Sequence, residues 1–296
     1  MQAVIRGILP VLQTPLDAEG ELDVASLRRE VAFCIKAGAH GLVFPVLASE
    51  FQFLSDQERC MLVEAVISEA AHQVPVIAGV ASTTIADATA QAREFEQMGA
   101  SGILAILEAY FPLSDDGVFS YFKAIADAVS LPVVLYTNPN FQRSDLSLPV
   151  IDRLSRIPNI SYIKDASNNT GRLLSIINLV QGRMKVFAAS AHVPAAVMLI
   201  GGVGWMAGPA CVAPKQSVEL YETCRRGDWT RAMELQRPLW GLNQAFAKYN
   251  LAACIKGALE LQGYAVGAPL PPQAPLTTEA LEDVKRTLIS IGALKP

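Results

Sequence analysis

Eight short apolar runs punctuate this chain, and each is followed by a longer amphipathic stretch. The runs are Ile5–Leu12, Gly41–Val46, Val74–Gly79, Gly102–Leu107, Pro132–Tyr136, Ile160–Lys164, Lys185–Ala188 and Gly204–Ala207. A strand that is apolar along its whole length is buried on both faces, which is the condition of a parallel sheet covered by helices. Eight strand–helix units of roughly 25–30 residues each are the arithmetic of a closed barrel. The rival is a doubly wound open sheet. It would place a Gly-rich dinucleotide loop after the first strand, where LQTPLDAEG stands instead. The predicted fold class is therefore α/β, a (β/α)8 TIM barrel.

The intervening helices are expected at Asp23–Ala37, Ser55–Ala71, Thr84–Met98, Ser114–Val129, Leu148–Ile157, Thr170–Gln181, Pro194–Ile200 and Pro214–Arg226. Asp23 is placed to cap the first. Ser55, with Glu58 three residues on, forms a capping box for the second. Gly38, Gly99 and Gly227 stand where helices should stop. After Gly227 the strand signal ends, and Trp229–Tyr249, Leu251–Leu261 and Thr277–Ile291 read as helices. The expected division is a barrel at residues 1–227 with a C-terminal helical extension, 228–296, packed on it.

Hydrophobic residues make up 51% of the chain and charged residues 18%, with a net charge of −4. No basic run offers a nucleic-acid footprint or a patch for an anionic membrane surface. From Val186 to Pro214 no Asp, Glu, Lys or Arg occurs and the mean hydropathy of the chain is +0.30, so by length alone this stretch is a candidate membrane span. Pro194, Gly201, Gly202, Gly204, Gly208 and Pro209 break it, and a strand, helix, turn and second strand fit better. The opening MQAVIRGILPVLQTPLD lacks the longer apolar core and cleavage site of a signal peptide. Five cysteines, an odd number with no CxxC pair, read as buried free thiols in a reducing, cytoplasmic compartment. The histidines His40, His72 and His192 are scattered, so no metal constellation and no cofactor is expected.

A barrel of this kind builds its active site at the C-terminal ends of the strands. The side chains expected there are Gln13 and Thr14 after the first strand, Leu47 to Glu50 after the second, and Glu108 and Tyr110 after the fourth. Tyr136 and Asn138 close the fifth, Lys164 and Asp165 the sixth, Ser190 and His192 follow the seventh, and Met206 and Gly208 the eighth. Lys164 ends the apolar ISYIK. Desolvation there lowers a lysine's pKa and frees its amine as a nucleophile; the plain alternative is an ion pair with Asp165 or another carboxylate. Tyr136, at the end of LPVVLY, is either a proton carrier or an aromatic lid on the barrel core. Lys256, in AACIKGAL of the tail, reads as a snorkelling or interface lysine away from the strand ends.

Tyr136 and Lys164, one strand–helix unit apart, are where a resemblance enters. The chain resembles the dihydrodipicolinate synthase / N-acetylneuraminate lyase family of Schiff-base aldolases and dehydratases. The likeness runs from Gly7–Asp23 (GILPVLQTPLDAEGELD) through SDQER, YFKAIADA and LPVVLYTNP to YIKDAS at Tyr162–Ser167. It implies that Lys164 forms an imine with a 2-oxo acid, that Tyr136 shuttles protons, and that Tyr110 reaches into a neighbouring subunit's site, as in a homotetramer. It implies too that Met206 touches the substrate through its backbone carbonyl.

Departures from the family pattern are as informative. The loop after the second strand normally reads G-T/S-T-G-E, whose hydroxyls and amides hold the substrate carboxylate. Here it reads Val46-Leu47-Ala48-Ser49-Glu50. That leaves the Ala48 and Ser49 amides and a shifted Ser49 hydroxyl as expected carboxylate ligands. The arginine that the synthases place after Y-N-V-P is absent from Tyr136–Phe141, with Arg143 two positions later. A dicarboxylate's far end then loses its partner, which argues against the lysine-biosynthetic synthase. ASEFQFLSDQER is similar instead to the loop of 2-keto-3-deoxy sugar-acid dehydratases. The expected activity is a Schiff-base aldolase or dehydratase on such a 2-oxo acid. Glu50 and Glu108 are candidate acids, with a loop-anchoring role as the alternative for Glu50, and Ser190 and His192 are contacts for the distal part. Phe51, Phe53, Phe111 and Phe141 would give an apolar mouth suited to the aromatic pyruvate adducts of hydratase-aldolases. A catalytically silent barrel that binds a small acid is the remaining alternative.

Overall fold

The computed structural model describes residues 4–139 and 142–296. Eight parallel strands form one sheet: β1 (Gly7–Pro10), β2 (Leu42–Phe44), β3 (Val76–Ser82), β4 (Gly102–Leu107), β5 (Val133–Thr137), β6 (Ile160–Asp165), β7 (Lys185–Ala188) and β8 (Gly204–Ala207). Each pairs with its sequence neighbours, and β1 pairs with β8. A parallel bridge between Val11 and Val43 closes β1 onto β2. The ring is a nearly closed (β/α)8 barrel, as the alternation of apolar runs predicts.

Every strand residue is buried except Ser161 and the exposed first residue of β7, Lys185, because helices cover the outer face and side chains fill the inner one. The helices are α1 (Val24–Lys36), α2 (Asp56–Ala70), α3 (Ile85–Gln97), α4 (Asp115–Ala128), α5 (Leu148–Leu154), α6 (Thr170–Val180), α7 (Pro194–Leu199), α8 (Pro209–Val212) and α9 (Pro214–Arg225). Asp23 accepts from the Ser26 amide at 2.9 Å, and the Ser55–Glu58 capping box is complete. Gly38 follows α1 at φ +91°, a left-handed conformation that glycine adopts without steric cost.

One element escaped the sequence pattern. The segment after β8 was expected to run straight into a helix at Pro214, and the single turn α8 intervenes. Pro209 and Pro214 each occupy the first turn of a helix, where proline's missing N–H costs nothing. The uncharged stretch Val186–Pro214 resolves into β7, α7, β8 and α8, and among the described residues no helix is long and apolar enough to cross a membrane. At Gly79 a Cβ would stand 1.7 Å from the Pro45 carbonyl, so β3 and the end of β2 meet only because glycine lies there.

Three further helices, α10 (Trp229–Lys248), α11 (Leu251–Leu261) and α12 (Thr278–Ser290), follow. α10 lies against α7 and α9, and α11 against α8 and the turn at Leu47–Ser49. The tail therefore reaches the C-terminal rim of the barrel, where the site is built.

Candidate active site

A cavity of about 580 Å³ opens at the C-terminal ends of the strands. Lys164 from β6 and Tyr136 from β5 share its wall with Val46, Leu47 and Ala48 after β2, Ala189 and Ser190 after β7, and Gly208 after β8. Strand register brings the two reactive groups together: Tyr136 pairs with Lys164, and the Lys164 Nζ lies 4.9 Å from the centre of the Tyr136 ring.

Lys164 is 6% exposed. Among the described residues no carboxylate lies within ion-pair distance of its amine, and burial alone lowers its pKa from 10.5 to about 7. The ion pair with Asp165 that the sequence left open does not form. Asp165 receives the Arg172 Nε at 2.6 Å and the Ser167 amide at 2.8 Å. Adjacent strand residues point to opposite faces, so the carboxylate is neutralised among the helices while the amine enters the barrel. The Tyr136 hydroxyl accepts from the Asn138 Nδ2 at 3.0 Å, and burial pushes its pKa up to about 12.

The loop after β2 differs from expectation. Leu47–Ser49 form a 3-10 turn, and Glu50 follows in the left-handed region at φ 63°. Ser49 is fully buried. Its hydroxyl donates to the Leu12 carbonyl at 2.6 Å and its amide to the Val46 carbonyl at 2.8 Å, so neither points at a ligand. Thr14 is spent likewise, donating to the Ser49 carbonyl at 2.6 Å. Glu50 is no acid facing substrate. Its carboxylate pairs with the Lys256 Nζ at 2.7 Å and accepts from the Leu270 amide and the Gln273 Nε2, each at 2.7 Å. The same contact corrects Lys256: it is 1% exposed and locked beneath the rim rather than snorkelling.

Other expected residues separate. Ser190 lines the cavity. His192 does not; it is buried, and its Nδ1 accepts from the Ala189 amide at 3.3 Å. Met206 is buried in β8 opposite Leu9, outside the lining. Glu108 is half-buried behind the rim, with its pKa raised by burial. Tyr110 and Phe111 project from the single chain at 76% and 78% exposure. Of the other phenylalanines expected at the mouth, Phe51 is buried under Arg59, Phe53 lies on the surface, and Phe141 falls outside the described residues.

The tail supplies what strand-end reasoning missed. Asn243, Phe246 and Ala247 of α10, Asn250, Leu251 and Ala252 at the start of α11, and Gln273 complete the cavity wall. A signal was present: Gln236, Leu239, Asn243 and Phe246 recur at helical spacing, so polar side chains sit on a buried stripe. Asn243 donates to the Ser190 carbonyl at 2.6 Å, tying α10 to the β7 loop. Lys164 is the one charged side chain of the described cavity lining. No cluster of three or more metal-ligating side chains occurs among the described residues.

Comparison with known proteins places this geometry. The family described as the dihydrodipicolinate synthetase family matches residues 4–291. The 4-hydroxy-tetrahydrodipicolinate synthase of Methanosphaerula palustris is 33% identical over 96% of this chain and 99% of its own. That of Acidiphilium cryptum is 31% identical over 98% and 100%. The dihydrodipicolinate synthase of Acinetobacter baumannii, solved with pyruvate, superposes with a TM-score of 0.95 at 27% identity over 98% of this chain and all of that one. The E. coli K12 prophage protein YagE, also solved with pyruvate, gives 0.91 at 29% identity, again over 98% and 100%. On the match across the whole barrel and tail, this chain belongs to the dihydrodipicolinate synthetase family and is a lyase.

Proposed function

We propose that Lys164 forms a Schiff base with a 2-oxo acid. The observation that carries this is a buried, unpaired amine with a depressed pKa on the wall of a substrate-sized cavity. The neutral amine attacks the C2 carbonyl, and the carbinolamine hydroxyl departs as water. Tyr136, held as a neutral phenol by burial, donates the proton that this departure needs. The protonated imine is then the electron sink for breaking the C3–C4 bond or expelling a hydroxyl. Two structurally similar proteins were solved with pyruvate, which supports a 2-oxo acid as ligand.

Within that class we favour a 2-keto-3-deoxy sugar acid or related pyruvate adduct. The curated relatives carry the synthase name and do not support excluding the synthase reaction. The features that favour another substrate belong to this chain. The turn after β2 presents Leu47 and Ala48 in place of hydroxyls, and among the described residues no cation besides Lys164 lines the cavity for a second carboxylate. Burying an unpaired carboxylate costs several kcal/mol, whereas a polyol tail finds the unpartnered Asn243 Oδ1.

We place the enzyme in the cytoplasm as a homotetramer in which Tyr110 of one subunit completes the site of the next, and we take 228–296 as an extension of the 1–227 barrel. The exposed Tyr110, Phe111 and Leu113 after β4 support the assembly, and free thiols throughout support the compartment.

Borohydride reduction in the presence of a panel of 2-oxo acids, read by mass spectrometry, tests the proposal. An adduct is expected on Lys164, and Lys164→Ala should lose trapping and turnover while keeping its circular dichroism. A panel with no adduct, or an active Lys164→Ala, would overturn it. Free pyruvate among the products of a keto-deoxy sugar acid would mark an aldolase; a dehydrated 2-oxo acid would mark a dehydratase.

A further inference from the structure

The reaction as derived makes no use of Glu50 and Lys256, yet they form the most deeply buried ion pair among the described residues, 0% and 1% exposed at the side chain. They belong to different parts of the chain. Glu50 ends the turn whose Leu47 and Ala48 line the cavity, and Lys256 lies in the tail helix α11.

Every donor to the Glu50 carboxylate comes from the tail: Lys256 Nζ, the Leu270 amide and the Gln273 Nε2. Lys256 spends a further proton on the Ala268 carbonyl at 2.8 Å. Asn250, itself part of the cavity wall, donates to the Gln273 Oε1 at 2.7 Å and caps α11 through the Ala253 amide at 2.9 Å. Ile255, next to Lys256, packs so closely on Gly208 that a Cβ there would come within 2.4 Å of it. A line of contacts thus runs from Asn250 in the cavity wall, through Gln273 and Glu50, to the part of the wall formed by Leu47 and Ala48. A charge with no exposure is held where its partners are, since separation leaves it unsolvated. A buried ion pair adds little net stability over an apolar pair of the same volume, so its clearest contribution is to fix relative position.

We propose that Lys256 is a positioning residue of the site: through Glu50 it holds the Leu47–Ser49 turn against the cavity, so that the appended helices set how tightly a 2-oxo acid is bound. This rests on the Schiff-base reading of Lys164.

The test uses the full chain, with pyruvate as probe and borohydride as trap. In Lys256→Met the half-saturating pyruvate concentration should rise roughly ten- to a hundredfold, as expected when a binding element is displaced by about 1 Å. The maximal trapped fraction should remain near that of the parent. Should the unpaired Glu50 leave too little folded protein, the double variant Glu50→Gln/Lys256→Met removes both charges; it should fold and keep the raised half-saturation. Hydrogen exchange of amides 46–54 should quicken in both variants while β4–β6 stay protected. Unchanged half-saturation and exchange would overturn the proposal. So would a lower maximal trapping at unchanged half-saturation, the mark of a merely structural defect. A parent protein that traps no pyruvate would instead sink the role given to Lys164, and the exchange measurement would still decide the clamp.

Discussion

At the scale of single residues, burial divides the titratable groups into those that work and those that support. Lys164 loses its proton early because burial disfavours the charged ammonium, so trapping at sub-saturating pyruvate should climb as pH rises through about 7 and level off above. A profile that climbs only near 10 would mean a solvated amine. Glu30 is a second buried group, and its carboxyl accepts from the Gln13 amide at 3.1 Å and the Cys211 thiol at 2.5 Å. Burial raises its pKa from 4.5 to about 7. The folded state therefore holds a proton there that the unfolded chain releases between those values. Its contribution to stability is present below 4.5 and is lost as pH rises through about 7. Glu30→Gln should accordingly gain denaturant midpoint relative to the parent at pH 8, and gain little or nothing at pH 5. An equal shift at both would contradict the assignment.

At the scale of elements, caps and stripes decide where each piece begins and which face it buries. The Ser55 amide donates to the Glu58 carboxylate at 2.7 Å, and the Ser55 hydroxyl accepts from the Glu58 amide at 3.3 Å. Ser55→Ala should lower stability by about 1 kcal/mol, read as a shifted denaturant midpoint with an unchanged slope. The same local signals made α1 to α4 legible in sequence to within a residue or two. Two short pieces were less legible for a stated reason: α8 is a single turn, too short to show a period, and β1 keeps only Gly7–Pro10 of an eight-residue apolar run. Of the rest, Val11 still bridges to Val43, and Ile5 and Leu12 are apolar because they are buried. In α10 the buried stripe was readable, but its Asn243 and Phe246 have no strand end to mark them as part of a site.

At the scale of the molecule, the site is an assembly of distant parts. Tyr110 stands far out of the single chain, and its proposed place is a neighbour's cavity. Mixing two inactive variants tests this without a structure. If Tyr110 acts across the subunit boundary, co-refolded Lys164→Ala and Tyr110→Phe chains should regain turnover, because some sites then combine an intact lysine with an intact tyrosine. Were the tyrosine to act within its own chain, no mixture would recover. Sedimentation of the parent should show the tetramer, and a stable monomer with full activity would contradict the arrangement.

By itself the sequence determined the barrel, its strand order and the placing of Tyr136 and Lys164 at neighbouring strand ends. Those rest on hydrophobic period, caps and strand ends, which are local properties of the chain. Only the tertiary structure decided that Asp165 pairs with Arg172 and leaves Lys164 alone, that Ser49 turns its hydroxyl to Leu12, and that Lys256 reaches back to Glu50. Each is a contact between residues far apart in sequence or on opposite faces of a strand. Its geometry is set by how helices dock on the rim, and no local pattern in the chain carries that information.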